Sequence, residues 1–407
     1  MKRLMVMAMA AFLIQGRVFS QVKLASTAEI PILAWYSIPA SETTLARYQE
    51  MNQAGITYQF NGYSNIDDLL KAMDIAEKIG IRIVASCPEL KSDPEGTVRR
   101  LMNHPALAGY HLMDEPGIAA FGELGNWARK IQAIDNRHFC YVNLFPNFAD
   151  SAQLGTKDYL DYLRAAVQQI PVQFISFDYY PVLKDRLSRT WYENLEQIST
   201  EARRAGKPFW AFALTTNYDE DHLTPQTLAA IRLQVYSDLA YGAQGIQYFT
   251  YWSATSVNAP SSEDQRGAPI SAAGKRTVVY DRIKTMSGEI KSLSGVFLGS
   301  KVVWVRHMGQ GRIPEGTVRL TSLPHAIKLL ETHGAPALVS LLEKGDNYFL
   351  VVVNKDFQKA IDLTIYGDDS VKKILKDGTL VDASAYEPSL ELDPGDAAIY
   401  MFPKTKR

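Results

Sequence analysis

From about residue 29 one unit recurs along the chain: a short, almost continuously apolar run, then a longer stretch with apolar residues at helical spacing, then another apolar run. Eight such runs occur, at residues 31–38, 56–62, 81–88, 108–114, 139–145, 173–180, 208–215 and 245–252. Val, Ile, Phe and Tyr dominate them with little polar alternation, the pattern of parallel strands covered on both faces. Helix boundaries are written between them. Ser41 precedes a predicted helix over 42–52 that stops at Gly55. Asn65 precedes one over 66–78, with Leu69, Leu70, Met73 and Ala76 on one face and Gly80 at the stop. Asp93-Pro94 opens a third, and Thr224-Pro225 opens another over 226–241. Alternating strands and helices need right-handed crossovers, which a closed barrel or an open doubly wound sheet both satisfy. No glycine-rich phosphate loop follows the first strand, which weighs against a dinucleotide-binding sheet. Eight equivalent units favour a (β/α)8 TIM barrel over residues 28–297.

Near residue 298 the pattern changes to short strands, at 301–307, 337–342, 348–354, 361–366, 372–375 and 397–402. Turn residues such as Gly345-Asp346-Asn347 and Asp393-Pro394-Gly395-Asp396 separate them. That predicts a C-terminal antiparallel β-sandwich over 298–407. At the other end, Lys2 and Arg3 precede an apolar run from Leu4 to Ile14, and Val18-Phe19-Ser20 offers small residues at a cleavage position. Residues 1–20 read as a signal peptide and predict a secreted or periplasmic protein. The run is too short for a permanent span, and no cysteine follows it to carry a lipid, so no membrane anchor is expected.

A chain of 407 residues accommodates a barrel and a second domain. The formal charge of -1 lacks the basic excess of a nucleic-acid binder. The two cysteines, Cys87 and Cys140, fall inside predicted buried strands; they make neither a disulfide framework nor metal-ligand spacing. No metal or cofactor is implied. The 21 Tyr and 6 Trp suit a sugar-binding surface, although ordinary core filling accounts for them as well.

Barrels of this kind place their chemistry at the C-terminal strand ends. Strand 1 ends in Trp35-Tyr36, strand 2 in Asn61-Gly62-Tyr63, and strand 4 in His111-Leu112-Met113-Asp114-Glu115-Pro116. Strand 5 contains Tyr141 and Asn143, strand 6 ends in Asp178-Tyr179-Tyr180, and strand 8 supplies Tyr248, Tyr251 and Trp252. Adjacent carboxylates closing a buried strand are costly unless used or paired. Asp114-Glu115 is therefore the leading catalytic candidate, with Asp178 second; helix capping and loop hydrogen bonding are the structural alternatives. His111 shares strand parity with Glu115, so both are expected to face the mouth. Trp35, Trp210 and Trp252 are candidates for a stacking floor, joined by Tyr36, Asn61, Asn143, Tyr179, Tyr180 and Tyr251 in substrate contacts. Asp264 and Arg266, in the long loop 253–276, are further candidates.

With these residues in place, the region over most of 30–290 resembles the glycoside hydrolases of clan A, in which a Glu at the end of strand 4 is the general acid/base; Glu115 matches that place. Clan A strand 7 commonly reads Lys-Pro-Ile-Trp with the nucleophilic Glu shortly after. Here Lys207-Pro208-Phe209-Trp210-Ala211-Phe212-Ala213 puts Ala213 at that position, and Glu220 further on is a possible substitute. Asp114-Glu115-Pro116 is also similar to the Asp-Glu pair of family 20 and family 123 glycoside hydrolases. The resemblance implies that Glu115 protonates the leaving oxygen while Asp114 holds the substrate's 2-acetamido group, which attacks in place of a protein nucleophile, with Tyr179 or Tyr180 bonding its carbonyl. The expected function is hydrolysis of an oligosaccharide or polysaccharide, substrate-assisted or paired with Asp178. The alternatives are a non-catalytic carbohydrate-binding barrel and a metal-dependent hydrolase or lyase.

Overall fold

The computed structural model describes Leu24 and residues 28–184, 186–217, 226–253, 267–386 and 389–405. The proposed signal peptide, Thr224-Pro225, Glu220, Asp264 and Arg266 lie outside these.

Eight parallel strands close into a barrel: β1 (Ile32–Trp35), β2 (Tyr58–Phe60), β3 (Arg82–Ala85), β4 (Leu107–Asp114), β5 (Phe139–Leu144), β6 (Ile175–Phe177), β7 (Phe209–Leu214) and β8 (Gly245–Phe249). Each pairs with its sequence neighbours, and β8 pairs with β1. All eight predicted runs become these strands, trimmed at the ends. Helix starts follow local chemistry. Asn65 accepts a hydrogen bond from the Asp68 N–H to cap Ile66–Ile79, which Gly80 ends in the left-handed region, and Asp93 caps Pro94–Leu101 through Gly96. Two starts differ from expectation. Ser41 falls in a 3-10 turn, and Thr44 caps Leu45–Gln53 instead. Thr227 caps Leu228–Ala240, beginning later than the Thr-Pro signal indicated.

The barrel interior is layered. At its N-terminal end Trp210 stacks on Phe174 at 4.3 Å and meets Tyr58 and Phe139 edge-on. These rings require the glycines beside them: a Cβ on Gly245 would lie 2.5 Å from Trp210, and one on Gly109 2.4 Å from Phe139. Above them Trp35, Phe60, His111, Tyr141 and Phe212 form a second aromatic layer. Cys87 and Cys140 are buried and free, as small apolar residues in the barrel wall.

After the barrel come β9 (Lys301–Met308), β10 (Ile327–Glu331), β11 (Ala337–Lys344), β12 (Asn347–Asn354), β13 (Ile361–Gly367), β14 (Lys372–Ile374), β15 (Leu380–Asp382), β16 (Ser389–Leu392) and β17 (Ala397–Pro403). They form an antiparallel six-stranded sheet, β9-β11-β12-β17-β14-β15, and a three-stranded sheet, β10-β13-β16. Val339, Val352 and Tyr400 of the first share a core with Leu330, Leu363 and Leu392 of the second. Strands β10, β15 and β16 were not anticipated; they are short, and none is buried along its whole length.

Helix Leu228–Ala240 joins the two parts. Its sequence, LAAIRLQVYSDLA, has no polar face, and ten of its residues are buried. Such a helix is covered on all sides. It packs on β7 and on β11 and β12, and Ser340 donates to the Ala240 carbonyl at 2.7 Å. A buried ionic cluster crosses the same boundary. Arg232 pairs with Glu289, Tyr236 donates to Glu289 at 2.7 Å, and Lys376 bonds both Asp396 and the Tyr236 hydroxyl.

Candidate active site

On a regular strand neighbouring side chains point to opposite faces, so Asp114 and Glu115 need a device to meet in one mouth. Two devices are present. The pairing of β4 with β5 matches His111 to Tyr141 but Met113 to Val142, leaving Leu112 as the extra residue of a β-bulge. Beyond the bulge Asp114 pairs with Asn143 and faces inward. Glu115 then takes a left-handed backbone, φ 47°, with its N–H on the Asn143 carbonyl at 2.9 Å. A non-glycine residue there is strained by about 1–3 kcal/mol. The expected shared parity of His111 and Glu115 is therefore corrected: the bulge makes Asp114 the in-phase partner of His111, and the left-handed turn brings Glu115 back.

Asp178 arrives by simple alternation, since Ser176, Asp178 and Tyr180 continue the inward phase of β6. Three carboxyls meet around the amide of Asn143, whose Nδ2 donates to Asp114 Oδ1 at 3.1 Å and to Asp178 Oδ1 at 2.8 Å. Ser176 donates to Asn143 Oδ1 at 2.9 Å and accepts from Gln247 Nε2 at 2.9 Å, while Tyr141 donates to Gln247 Oε1 at 2.6 Å. With its oxygen taken by a hydroxyl, the Asn143 amide has one orientation, donor end toward the carboxylates. Polar residues inside apolar strands, Ser176 and Gln247 among them, are the trace of this network in the sequence, and the sequence reading passed over both.

The Glu115 carboxyl has Asp178 and Asp114 as its charged neighbours in the mouth. Burial, then the charges of Asp178 and Asp114, push the Glu115 carboxyl up to about 8. Burial, then Asp114, push Asp178 up to about 7, against the bonds from Asn143 and Tyr180. Asp114 is raised by burial despite its exposed outer edge. Neighbouring carboxyls that resist ionising together keep Glu115 protonated into the neutral range.

One wall of the mouth is aromatic. Tyr36, also left-handed at φ 43° and 44% exposed, meets Phe249 at 5.7 Å, and Phe249 meets Tyr180 at 5.3 Å. Phe249 was missed because strand 8 was taken on to residue 252; ending it at 249, in phase with Gln247, exposes the ring's role. His111 lies beneath, its imidazole held neutral by burial, down to about 3, with Nε2 making no hydrogen bond.

Several expected contacts fall elsewhere. Trp35 is buried in the layer below the mouth, and Trp210 fills the far end of the barrel. Tyr179 faces outward by alternation, and its hydroxyl meets Ser188 and Thr190. Tyr251 is fully buried in the outer core, and Trp252 lies under the Arg47 guanidinium at 5.0 Å. Asn61 spends its amide on the Ile38 carbonyl and the Gly62 N–H, tying two loops together. Ala213 also changes meaning. Trp210 and Phe212 point into the barrel, so Ala213 faces the helices, and a glutamate there would not reach the mouth. Among the described residues no cluster of three or more His, Cys, Asp or Glu is arranged to hold a metal ion.

Barrel, strand-end carboxyls and aromatic wall together define a (β/α)8 barrel with a carboxyl-lined mouth. No protein-family description and no curated sequence matches the chain. Solved structures do match it in shape. A β-galactosidase from Bacillus circulans sp. alkalophilus is 9% identical with a TM-score of 0.60, over 92% of this chain and 99% of that one. A family 39 glycoside hydrolase from Bacteroides cellulosilyticus WH2 is 10% identical with a TM-score of 0.50, over 92% and 81%. At such identities the likeness shows the fold, a (β/α)8 barrel followed by further strands.

Proposed function

We propose that the protein is a glycoside hydrolase in which Glu115 donates the proton to the leaving oxygen. The observation that carries this reading is the carboxyl cluster at the barrel mouth, in which Asp114 and Asp178 are held on the Asn143 amide and, with burial, raise Glu115 to about 8. Glycosidic cleavage needs one protonated and one ionised carboxyl on either side of the anomeric carbon. Glu115 and Asp178 supply both at neutral pH, with Glu115 the group that keeps its proton longer. A sugar seated between Glu115 and Asp178 sets their separation, about 5 Å for a retaining reaction with Asp178 as nucleophile and about 6.5–9.5 Å for an inverting one. The aromatic wall of Tyr36, Phe249 and Tyr180 offers ring faces to the sugar's C–H face. The barrel neighbours named above include a β-galactosidase, which agrees with a carbohydrate substrate.

A substrate-assisted variant has its own support. Asp114 is adjacent to Glu115, faces the mouth, and is oriented by the Asn143 amide. In that role it accepts the N–H of a 2-acetamido group, and the carbonyl partner is Tyr180 or Tyr36, since Tyr179 is engaged outside the mouth.

The test is turnover of aryl glycosides, 2-acetamido and 2-hydroxy, by the full chain beside Glu115→Gln, Asp178→Asn and Asp114→Asn. Turnover of 2-hydroxy sugars lost in the first two variants supports the two-carboxylate reading. Turnover confined to 2-acetamido sugars and lost with Asp114→Asn moves the assignment to the assisted mechanism. Activity that survives Glu115→Gln on substrates with poor leaving groups overturns both.

A further inference from the structure

A second cleft, of about 640 Å³, opens between the barrel and the C-terminal sheets. One side is the segment that follows Asp178-Tyr179-Tyr180, running through Ser188 and Arg189 into helix Trp191–Ala205. The other is formed by residues 312–315 and by Lys355, Asp356 and Phe357. Ser188 and Thr190 line it and also hold the Tyr179 hydroxyl, so the cleft adjoins the strand end that carries Asp178.

Its charge is one-sided. Arg186, Arg189, Arg312 and Lys355 face two acids, Glu315 and Asp356, and Asp356 Oδ1 already accepts the Gln358 and Lys359 N–H groups. Arg189 and Arg312 are exposed and form no ion pair among the described residues. Lys355 lies deeper, its ammonium 4.6 Å from the centre of the Tyr192 ring and 3.1 Å from His307 Nδ1, and forms no ion pair among the described residues. His307 contributes no charge: burial, then Lys355, bring it down to about 2. Burial alone brings Lys355 down to about 8. Arg189, Arg312 and, deeper, Lys355 line a concave wall whose remaining surface includes Tyr192, Pro314 and Phe357. Apolar walls lined with cations fit a ring that has both a C–H face and a negative substituent. The net charge of -1 over the whole chain makes the cluster a local site, not part of a general basic surface.

We propose that this cleft is a binding site for an acidic glycan, holding the carboxylate or sulfate of a sugar unit on Arg189, Arg312 and Lys355. It rests on the glycosidase reading only in taking the bound polymer to be a glycan. A chain lying there continues along the loop after β6 toward the mouth, past Phe148, which is 64% exposed and packs edge-on against Tyr179.

Isothermal titration of the full chain carrying Glu115→Gln reads binding without turnover, so its outcome is independent of whether the mouth cleaves anything. The probes are polygalacturonate oligomers (carboxylated), sulfated galactan oligomers and neutral galactan oligomers. The expected result is at least tenfold tighter binding of one acidic probe than of the neutral one at low salt, a gap that narrows as salt rises. Adding Arg189→Ala and Arg312→Ala, both exposed and safe for folding, is expected to remove that gap. Which acidic probe binds identifies the anion. Equal affinity for acidic and neutral oligomers, or acidic binding that survives the double substitution, overturns the proposal.

Discussion

Asp114→Asn offers a direct measure of how charge is arranged in the mouth. Asp114 raises both Glu115 and Asp178 and keeps its place on Asn143 when its charge is removed. One unit charge acting across the mouth through an effective dielectric of about 20 contributes on the order of 1–2 kcal/mol, roughly one pH unit. Solvent at the exposed rim keeps it from being larger. The sign follows from repulsion: without Asp114 the Glu115 carboxylate forms more easily, so its titration moves down from about 8 toward about 7. Carbon-13 NMR of carboxyl-labelled glutamate, with Glu115→Gln to assign the resonance, reads this without knowledge of the substrate. If turnover is found, the alkaline limb of kcat/KM falls by the same amount, because the acid must be protonated to act. A Glu115 resonance titrating near 4.5 in the unmodified protein, or unmoved by Asp114→Asn, would refute the arrangement.

Asp178→Asn is expected to stabilise the protein at pH 9 by about 2 kcal/mol, or about 2–3 °C in Tm, and to do nothing at pH 4. A carboxyl raised to about 7 in the folded state costs stability as pH climbs from its unfolded value through 7, and the amide removes that cost while still accepting from Asn143; calorimetry at the two pH values checks it. Asn143→Ala removes two charge-assisted hydrogen bonds and is expected to lower kcat about 100-fold or more with little change in KM, read on whichever glycoside the panel identifies. Tyr36→Ala is expected to raise KM with almost unchanged Tm, whereas Trp210→Ala is expected to lose about 3–5 kcal/mol of stability in denaturant titration by emptying the far end of the barrel. Glu289→Gln is expected to cost about 3 kcal/mol in the same assay, because Arg232 loses the nearer of its two carboxylates and keeps only Asp396 at 4.0 Å.

The barrel was legible because buried parallel strands leave the same mark eight times, and because Asn65, Gly80 and Asp93 carry helix signals in their own chemistry. The carboxyls of the mouth were legible because charged residues closing apolar strands are conspicuous. What failed was geometry that alternation does not carry. The bulge at Leu112 and the left-handed backbones of Tyr36 and Glu115 reset which side chains face inward, and nothing in the residue types announces them. Tryptophans misled for a related reason: a large ring fits the floor of a barrel as well as its rim, and only its height on the strand distinguishes them. For Trp210 that height was available, since it is the second residue of its strand, beside Gly245. Strands β10, β15 and β16 lacked a run long enough to show any period.

The helix Leu228–Ala240, buried on every side, bears on how this protein can be cut or recombined. A truncation that ends after the barrel would leave one flank of that helix bare, together with Arg232, Glu289 and Tyr236 stripped of Lys376 and Asp396. The expressed fragment would present an adhesive stripe in place of a finished surface, and it belongs in inclusion bodies rather than in an assay. The C-terminal sheets are in this sense the missing wall of the barrel, and grafting either half onto a foreign partner requires rewriting that one helix first.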